Sequence, residues 1–302
     1  MPEFFYTTAQ NNQPRAESQL DVRPVCGALG ADVYGLDLKS LDPNGQMALR
    51  QALLDHQVLF IREQDLSVQD LERVTLRFGE FGIEPYVKPM PEHPHVVHVR
   101  KEAGEGTPVV FGGAWHSDWS FQQQPPAFTL LYGHDVPSHG GDTLYNNMYL
   151  ACEWLSPAMR NMLRTLNAVH SPEFGYGPNS RHNAGLESMQ IVWGSNVDHD
   201  VRCHPLITHH PETGREVLFA NPAYTLGIEG MKPEESRPLL DYLFSVATAP
   251  AFSCRMRWTP GTLAIWDNRC VWHQPVSDYF GARREMFRTT VKGSVPERGT
   301  TP

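Results

Sequence analysis

The stretch AWHSDWS, residues 114–120, sets a histidine and an aspartate two positions apart between tryptophans. Imidazole and carboxylate both ligate metals, and both also form hydrogen-bonded pairs with no ion between them. The aromatic content, and the apolar VVF just before it, predict a β-strand, in which residues i and i+2 face the same way. On that expectation His116 and Asp118 converge on one point. A third group stands far along the chain, where LAIWDNRCVWHQP brings His273 to the end of an apolar, strand-like run. Alone, His273 reads as a core or rim histidine. Together the three supply two imidazoles and one carboxylate, a set that leaves one face of an octahedral Fe(II) open for a cosubstrate and O2.

The segment RREMFRTT tests this independently. As a strand it places Arg284, Met286, Arg288 and Thr290 on one face and Glu285, Phe287 and Thr289 on the other. With the arginine face outward, both are solvated surface charges. With it inward, Arg284, eleven residues after His273, can reach a carboxylate bound near the metal and hold it through two parallel hydrogen bonds.

Composition sets the frame around these residues. The chain has 302 residues, 40% hydrophobic and 20% charged, with 49 Gly and Pro (24 plus 25), as in a turn-rich globular protein. A formal charge of −9 without a basic cluster argues against nucleic acid as a partner. Neither a signal peptide nor a long apolar run is present, so a cytoplasmic protein with no membrane association is expected. Five scattered cysteines, Cys26, Cys152, Cys203, Cys254 and Cys270, suit reduced, mostly buried thiols better than disulfides or a cysteine zinc site.

The elements that must position the candidates read as follows. LDVRPVCGALGADVYGLDL suggests a small strand pair, GQMALRQALLDH a helix, and QVLFI a buried strand. LSVQDLERVTLRFGE is a helix that Ser67 can cap, with Asp70 three residues on and Leu71, Val74 and Phe78 along one face. Residues 84–113 read as a long irregular connection, and 171–200 as an active-site lid or insertion. TLYNN is a strand, and YLACEWL and SPAMRNMLRTL are helical. After residue 200, short strands with Gly and Pro turns surround one helix, PEESRPLLDYLFSVA, which indicates an antiparallel sandwich or barrel. The whole is expected to be one domain over 1–302, with 1–19 and 294–302 flexible.

WHSDWSF, PSHGGDTLY, WDNRCVWH and RREMFRTT, with LDHQVLFIREQ and LRFGEFG flanking, make the sequence resemble the taurine dioxygenase and 2,4-dichlorophenoxyacetate dioxygenase group of Fe(II)/2-oxoglutarate-dependent oxygenases over about residues 20–293. The resemblance implies that His116, Asp118 and His273 bind iron, and that Arg284 and Thr143 hold the distal carboxylate of 2-oxoglutarate. It implies that Arg288 meets an anionic group of the prime substrate. It also implies a mainly β fold with flanking helices, a double-stranded β-helix or jelly roll of cupin-like form, in an enzyme that is often a dimer or tetramer. The retained carboxylate at Asp118 implies hydroxylation rather than halogenation, with release of succinate and CO2.

Three departures from taurine dioxygenases bear on the substrate: Glu84 replaces a histidine that touches the sulfonate, Val87 a tyrosine, and Gly112 an asparagine. Trp119, Tyr176 and Tyr224 beside Arg288 suggest a small organic anion with an apolar or aromatic body: a sulfonate, alkyl sulfate, aryloxyalkanoate or related carboxylate. Tyr176 and Tyr224 read equally as plain packing. Glu84 reads as a solvated loop carboxylate, or as a pocket residue that points to an amine on the substrate. His93, His95 and His98, and also His209 and His210, read as solvated loop histidines. The competing class is a jelly-roll metal-binding protein or hydrolase without oxygen chemistry; it predicts metal affinity without 2-oxoglutarate affinity.

Overall fold

The structure is a computed structural model that describes residues 4–16, 18–178, 180, 183, 185–193 and 200–299. Strands β1 (Asp21–Pro24) and β2 (Ala31–Tyr34) form the expected pair, helix α1 (Pro43–His56) follows, and β3 (Val58–Ile61) is buried at all four positions. Helix α2 (Val68–Leu76) begins with a full capping box. The Ser67 side chain accepts from the Asp70 N–H, and the Asp70 carboxylate accepts from the Ser67 N–H. Then come β4 (Val97–Lys101), β5 (Phe128–Asp135), β6 (Thr143–Asn147), α3 (Met148–Trp154), α4 (Pro157–Leu163), β7 (Asn167–His170) and α5 (Glu173–Tyr176). The remainder supplies β8 (Arg202–Pro205), β9 (Ile207–His209), β10 (Glu216–Leu218), β11 (Thr225–Ile228), α6 (Pro233–Ala247), β12 (Ser253–Met256), β13 (Thr262–Asp267), β14 (Val271–Pro275) and β15 (Arg284–Val291).

The fold is mainly β with flanking helices. A seven-stranded sheet runs β1-β2-β3-β13-β5-β15-β4, and a three-stranded sheet runs β12-β6-β14. Within the large sheet only β2 and β3 pair in parallel. Alternation along its central strands separates two cores. Leu59, Ile61, Leu130, Leu263 and Ile265 pack with α1 and α2 through Leu49, Leu53, Leu71 and Val74. Phe60, Leu131, Ala264, Trp266 and Met286 share the other core with Tyr145, Cys254, Met256 and Val271 of the three-stranded sheet. The candidate site lies on this second side.

Two expectations, for residues 114–120 and for 84–113, need correction. AWHSDWS is not a strand: residues 114–120 hold a single isolated bridge, His116 to His273, and then turns. The long connection 84–113 contains β4, which pairs with β15, a partner too distant in sequence for local patterning to reveal. Within the segments read as flexible, Asn12 is buried and donates through Nδ2 to the carbonyls of Cys26 (2.7 Å) and Gly30 (3.0 Å). At the other end the His209 N–H donates to the Glu297 carbonyl at 3.0 Å. Residues 1–3, 17 and 300–302 of those segments lie outside the described residues, as do 179, 181, 182, 184 and 194–199 of the segment read as a lid. Residues 190–192 of that segment lie along residues 86–88, with Lys88 N–H donating to the Gln190 carbonyl and Val192 N–H to that of Tyr86. Among the described residues, no helix is long and apolar enough to cross a membrane.

Candidate metal centre

Backbone pairing brings the two histidines together. His116 and His273 exchange N–H···O bonds of 3.1 and 2.8 Å across their bridge, and the ring centroids stand 4.1 Å apart. His273 is in β14; His116 is in the connection before β5. Trp119 takes a left-handed conformation, φ 47°, costly for a bulky side chain, and turns the chain immediately after Asp118. Asp118 is thus delivered by a turn, and its N–H is received by Asn268 Oδ1 at 3.3 Å.

For His116 and Asp118 the ligand atom is set by the hydrogen bond its neighbour atom makes, whereas His273 Nδ1 has no partner. His116 Nδ1 donates to the Ala114 carbonyl at 2.7 Å, which leaves the lone pair on Nε2. Thr129 Oγ1 donates to Asp118 Oδ2 at 2.6 Å, leaving Oδ1 free. Asp118 Oδ1 lies 3.5 Å from His116 Nε2 and 3.9 Å from His273 Nε2, and all three residues are buried. Burial alone would raise the Asp118 pKa, but Arg288 and the two imidazoles outweigh it and hold the carboxyl well below its usual range. Burial, then the neighbouring His116, pushes the His273 imidazole well down, toward the neutral form a metal requires. Two imidazole nitrogens and one carboxylate oxygen facing one point fit a divalent transition metal.

A second cluster is as compact: His210, Asp267 and Cys270 offer ligand atoms within 4.8 Å of one another. Its chemistry differs. Asp267 already accepts from both Arg269 Nε (2.8 Å) and Nη2 (2.6 Å) and from His210 Nε2 (2.9 Å). His210 Nδ1 in turn accepts from the Glu212 and Thr213 N–H groups. This is a saturated ion-pair tether, and it corrects the reading of His210 as a solvated loop residue. His93 and His98 pair with Glu72 and Glu285, and His95 stacks on Phe81.

Strand β15 turns its arginine face inward, leaving Arg284 and Arg288 only 5% and 4% exposed. The one-residue irregularity beside it falls in β5, where His134 is skipped, so β15 keeps its alternation. Arg284 lies 5.6 Å from the Trp258 ring and 5.7 Å from that of Tyr279, with Nε and Nη2 unpartnered. Thr143 Oγ1 accepts from Trp258 Nε1 at 2.9 Å, so its own proton remains to be donated. Both residues line one cavity with the three candidate ligands and Arg288. A buried guanidinium with spare N–H groups beside a hydroxyl donor fits a carboxylate guest.

The remaining candidates surround Arg288. Its Cζ lies 5.2 Å over the Trp119 ring, its Nη1 donates to Glu84 Oε2 at 3.2 Å, and its Nη2 is 3.0 Å from Asp118 Oδ1 without hydrogen-bond alignment. Glu84 is buried, not a solvated loop residue, and also accepts from Trp119 Nε1 at 2.9 Å. Burial raises its pKa against the pull of Arg288. Tyr176 and Tyr224 pack with Trp119 and also line a small cavity beside His116. Sequence reasoning missed Thr129 and Asn268, which orient Asp118, and Tyr86 and Phe121, which complete the aromatic cluster. Of these, Asn268 was signalled by its place within WDNRC; the others carry no local mark.

Residues 21–290 match the family described as "Taurine catabolism dioxygenase TauD, TfdA family". The chain belongs to this family. Among its relatives in the TauD/TfdA family, an "Alkylsulfatase" of Acinetobacter baylyi is 31% identical over 289 residues, covering 92% of this chain and 86% of that one. An "Alpha-ketoglutarate-dependent sulfate ester dioxygenase" of Pseudomonas putida is 31% identical, covering 92% and 91%. The crystal structure of a taurine dioxygenase from Burkholderia xenovorans superposes with a TM-score of 0.77 at 33% identity, covering 92% of each chain.

Proposed function

We propose that this TauD/TfdA protein is a non-haem Fe(II)/2-oxoglutarate-dependent dioxygenase that hydroxylates a small organic anion. Candidate substrates are a sulfonate, alkyl sulfate, aryloxyalkanoate or related carboxylate; when the hydroxylated carbon bears a heteroatom leaving group, the product fragments. The observation that carries the reading is the convergence of His116 Nε2, Asp118 Oδ1 and His273 Nε2 beside Arg284, whose Nε and Nη2 have no partner. Relatives named for 2-oxoglutarate-dependent action on sulfate esters and sulfonates support the class. The two sheets that share one core support a double-stranded β-helix, and the free thiols a cytoplasmic location.

His116, Asp118 and His273 would hold the iron. Arg284 and the Thr143 hydroxyl would bind the distal carboxylate of 2-oxoglutarate, turning its other end toward the metal. Trp119, Tyr176 and Tyr224 would enclose the apolar body of the substrate, with Arg288 at its acid group. Bound Fe(II) with 2-oxoglutarate supplies the oxidising chemistry: O2 is consumed, the oxo-acid becomes succinate and CO2, and one oxygen atom enters a substrate C–H bond. The aromatic walls and segment 171–200, acting as a lid, would exclude water and keep the oxidation on the substrate.

The test is an anaerobic absorption titration of Fe(II)-loaded protein with 2-oxoglutarate and then with the candidate substrates. A visible charge-transfer band that needs 2-oxoglutarate is the expected result, and a substrate then shifts it. Folded, iron-loaded protein without a band at any 2-oxoglutarate concentration overturns the reading.

A further inference from the structure

Two arginines enter the cavity from β15, but in different electrical states. Arg284 has no carboxylate hydrogen-bonded to it, and Nε and Nη2 are unspent. Arg288 is countered from behind. Glu84 Oε2 takes one bond from Arg288 Nη1 and one from Trp119 Nε1, which fixes the guanidinium over the indole and sets a carboxyl group against it. Glu84 itself is absent from the cavity wall, whereas Arg288 lines it. What Arg288 offers a guest is therefore its unspent Nη2 edge, with little net charge behind it. A second carboxylate, Asp118, also lies against that edge until a metal engages it.

Resting on the oxygenase reading above, we propose that Glu84 is a positioning residue that sets the charge selectivity of the prime-substrate site. Because Arg288 meets the guest as half of an ion pair, the site takes an acid group through hydrogen bonding more than through net charge. Carboxylates concentrate their charge on two strongly accepting oxygens; sulfonates and sulfate esters spread it over three weakly basic ones. The site thus favours a carboxylate over a sulfonate or sulfate on the same skeleton.

The experiment compares 3-phenylpropanoate with 2-phenylethanesulfonate on anaerobic protein loaded with Fe(II) and 2-oxoglutarate, reading dissociation constants from quenching of tryptophan fluorescence. Wild type is expected to bind the carboxylate about tenfold tighter. Glu84→Gln, isosteric and still able to accept from Trp119, is expected to bind the sulfonate at least about tenfold tighter than wild type does, the order expected from removing one nearby charge. The carboxylate carries the same single charge and is expected to gain alike, so its lead over the sulfonate is retained. Wild type that prefers the sulfonate, Glu84→Gln with unchanged constants, or binding of neither ligand overturns the proposal. If the variant does not fold, the wild-type ratio decides alone. The charge-transfer band separates the levels: a band with the wrong ratio sinks only the role of Glu84, and no band in wild type sinks the oxygenase reading beneath it.

Discussion

Thr129 Oγ1, on β5, and Asp118 Oδ2 stand 2.6 Å apart, so the aspartate presents only Oδ1 to the two imidazoles. Asn268 Nδ2 in turn donates to Thr129 Oγ1 at 2.8 Å, which leaves the hydroxyl proton only Asp118 to serve. Thr129→Val keeps the shape and removes this restraint. Iron affinity is expected to fall about 10- to 100-fold with the fold intact. Competition with a chromophoric chelator measures it, and an unchanged affinity would show that the hydroxyl does not orient the ligand.

Arg284 makes an opposite pair of predictions for stability and binding. A buried guanidinium with unpartnered N–H groups destabilises the protein until a carboxylate arrives, so Arg284→Met is expected to raise the unfolding free energy of metal-free protein by roughly 1–2 kcal/mol. The same variant should bind 2-oxoglutarate at least about 30-fold more weakly, the cost of losing one partner of a buried charged pair. Urea unfolding and the charge-transfer titration read the two effects separately. A variant that is both less stable and equally able to bind 2-oxoglutarate contradicts both.

The compact cluster at Asp267 should take no metal. Asp267→Asn takes from Arg269 its fully buried partner but leaves it Glu212 at 2.8 Å, and is expected to cost about 1–3 kcal/mol of stability while iron stoichiometry stays at one per chain. His116→Ala, by contrast, should abolish iron binding with little loss of stability in the metal-free protein. A wild-type stoichiometry of two, reduced to one by Asp267→Asn, would show the tether to be a second metal site.

His170 gives the protein a pH dependence away from the cavity. Burial, then the adjacent His204, lowers its pKa from 6.5 to about 3. The folded protein keeps this ring neutral while the unfolded chain protonates it below about pH 6.5. Its contribution is therefore fully present above pH 6.5 and is lost as pH falls toward 3. Between pH 7 and 4.5 the loss from this one group is on the order of 2 kcal/mol. Urea unfolding of wild type and His170→Gln at both pH values should show a shallower slope in the variant; parallel slopes would rule His170 out.

What the sequence revealed was whatever depends on neighbours in the chain. The Ser67/Asp70 cap, the period of α1 and α2, and the unbroken apolar run of β3 are local signals, and each became the expected element. β15 was legible for a second reason: its alternation offered only two choices, and both arginines turned inward. AWHSDWS misled because aromatic residues favour strands as a class, whereas its shape is set by one bridge to His273 and a strained turn at Trp119. His210 and Glu84 were misread for a related cause. A polar residue in a loop looks solvated until the partner that buries it, Asp267 or Arg288, is brought from elsewhere in the chain.

The placement of Arg284 and Arg288 on one unbroken run of β15, with Glu84 supplied by a separate connection after α2, divides the labour of evolutionary change. The strand cannot slip by one residue without turning both arginines out of the cavity together, so the two proposed grips are placed as a unit. The countercharge is not so bound. On the proposed role of Glu84, a substitution at position 84 changes how Arg288 meets an acid without replacing a candidate metal ligand or Arg284.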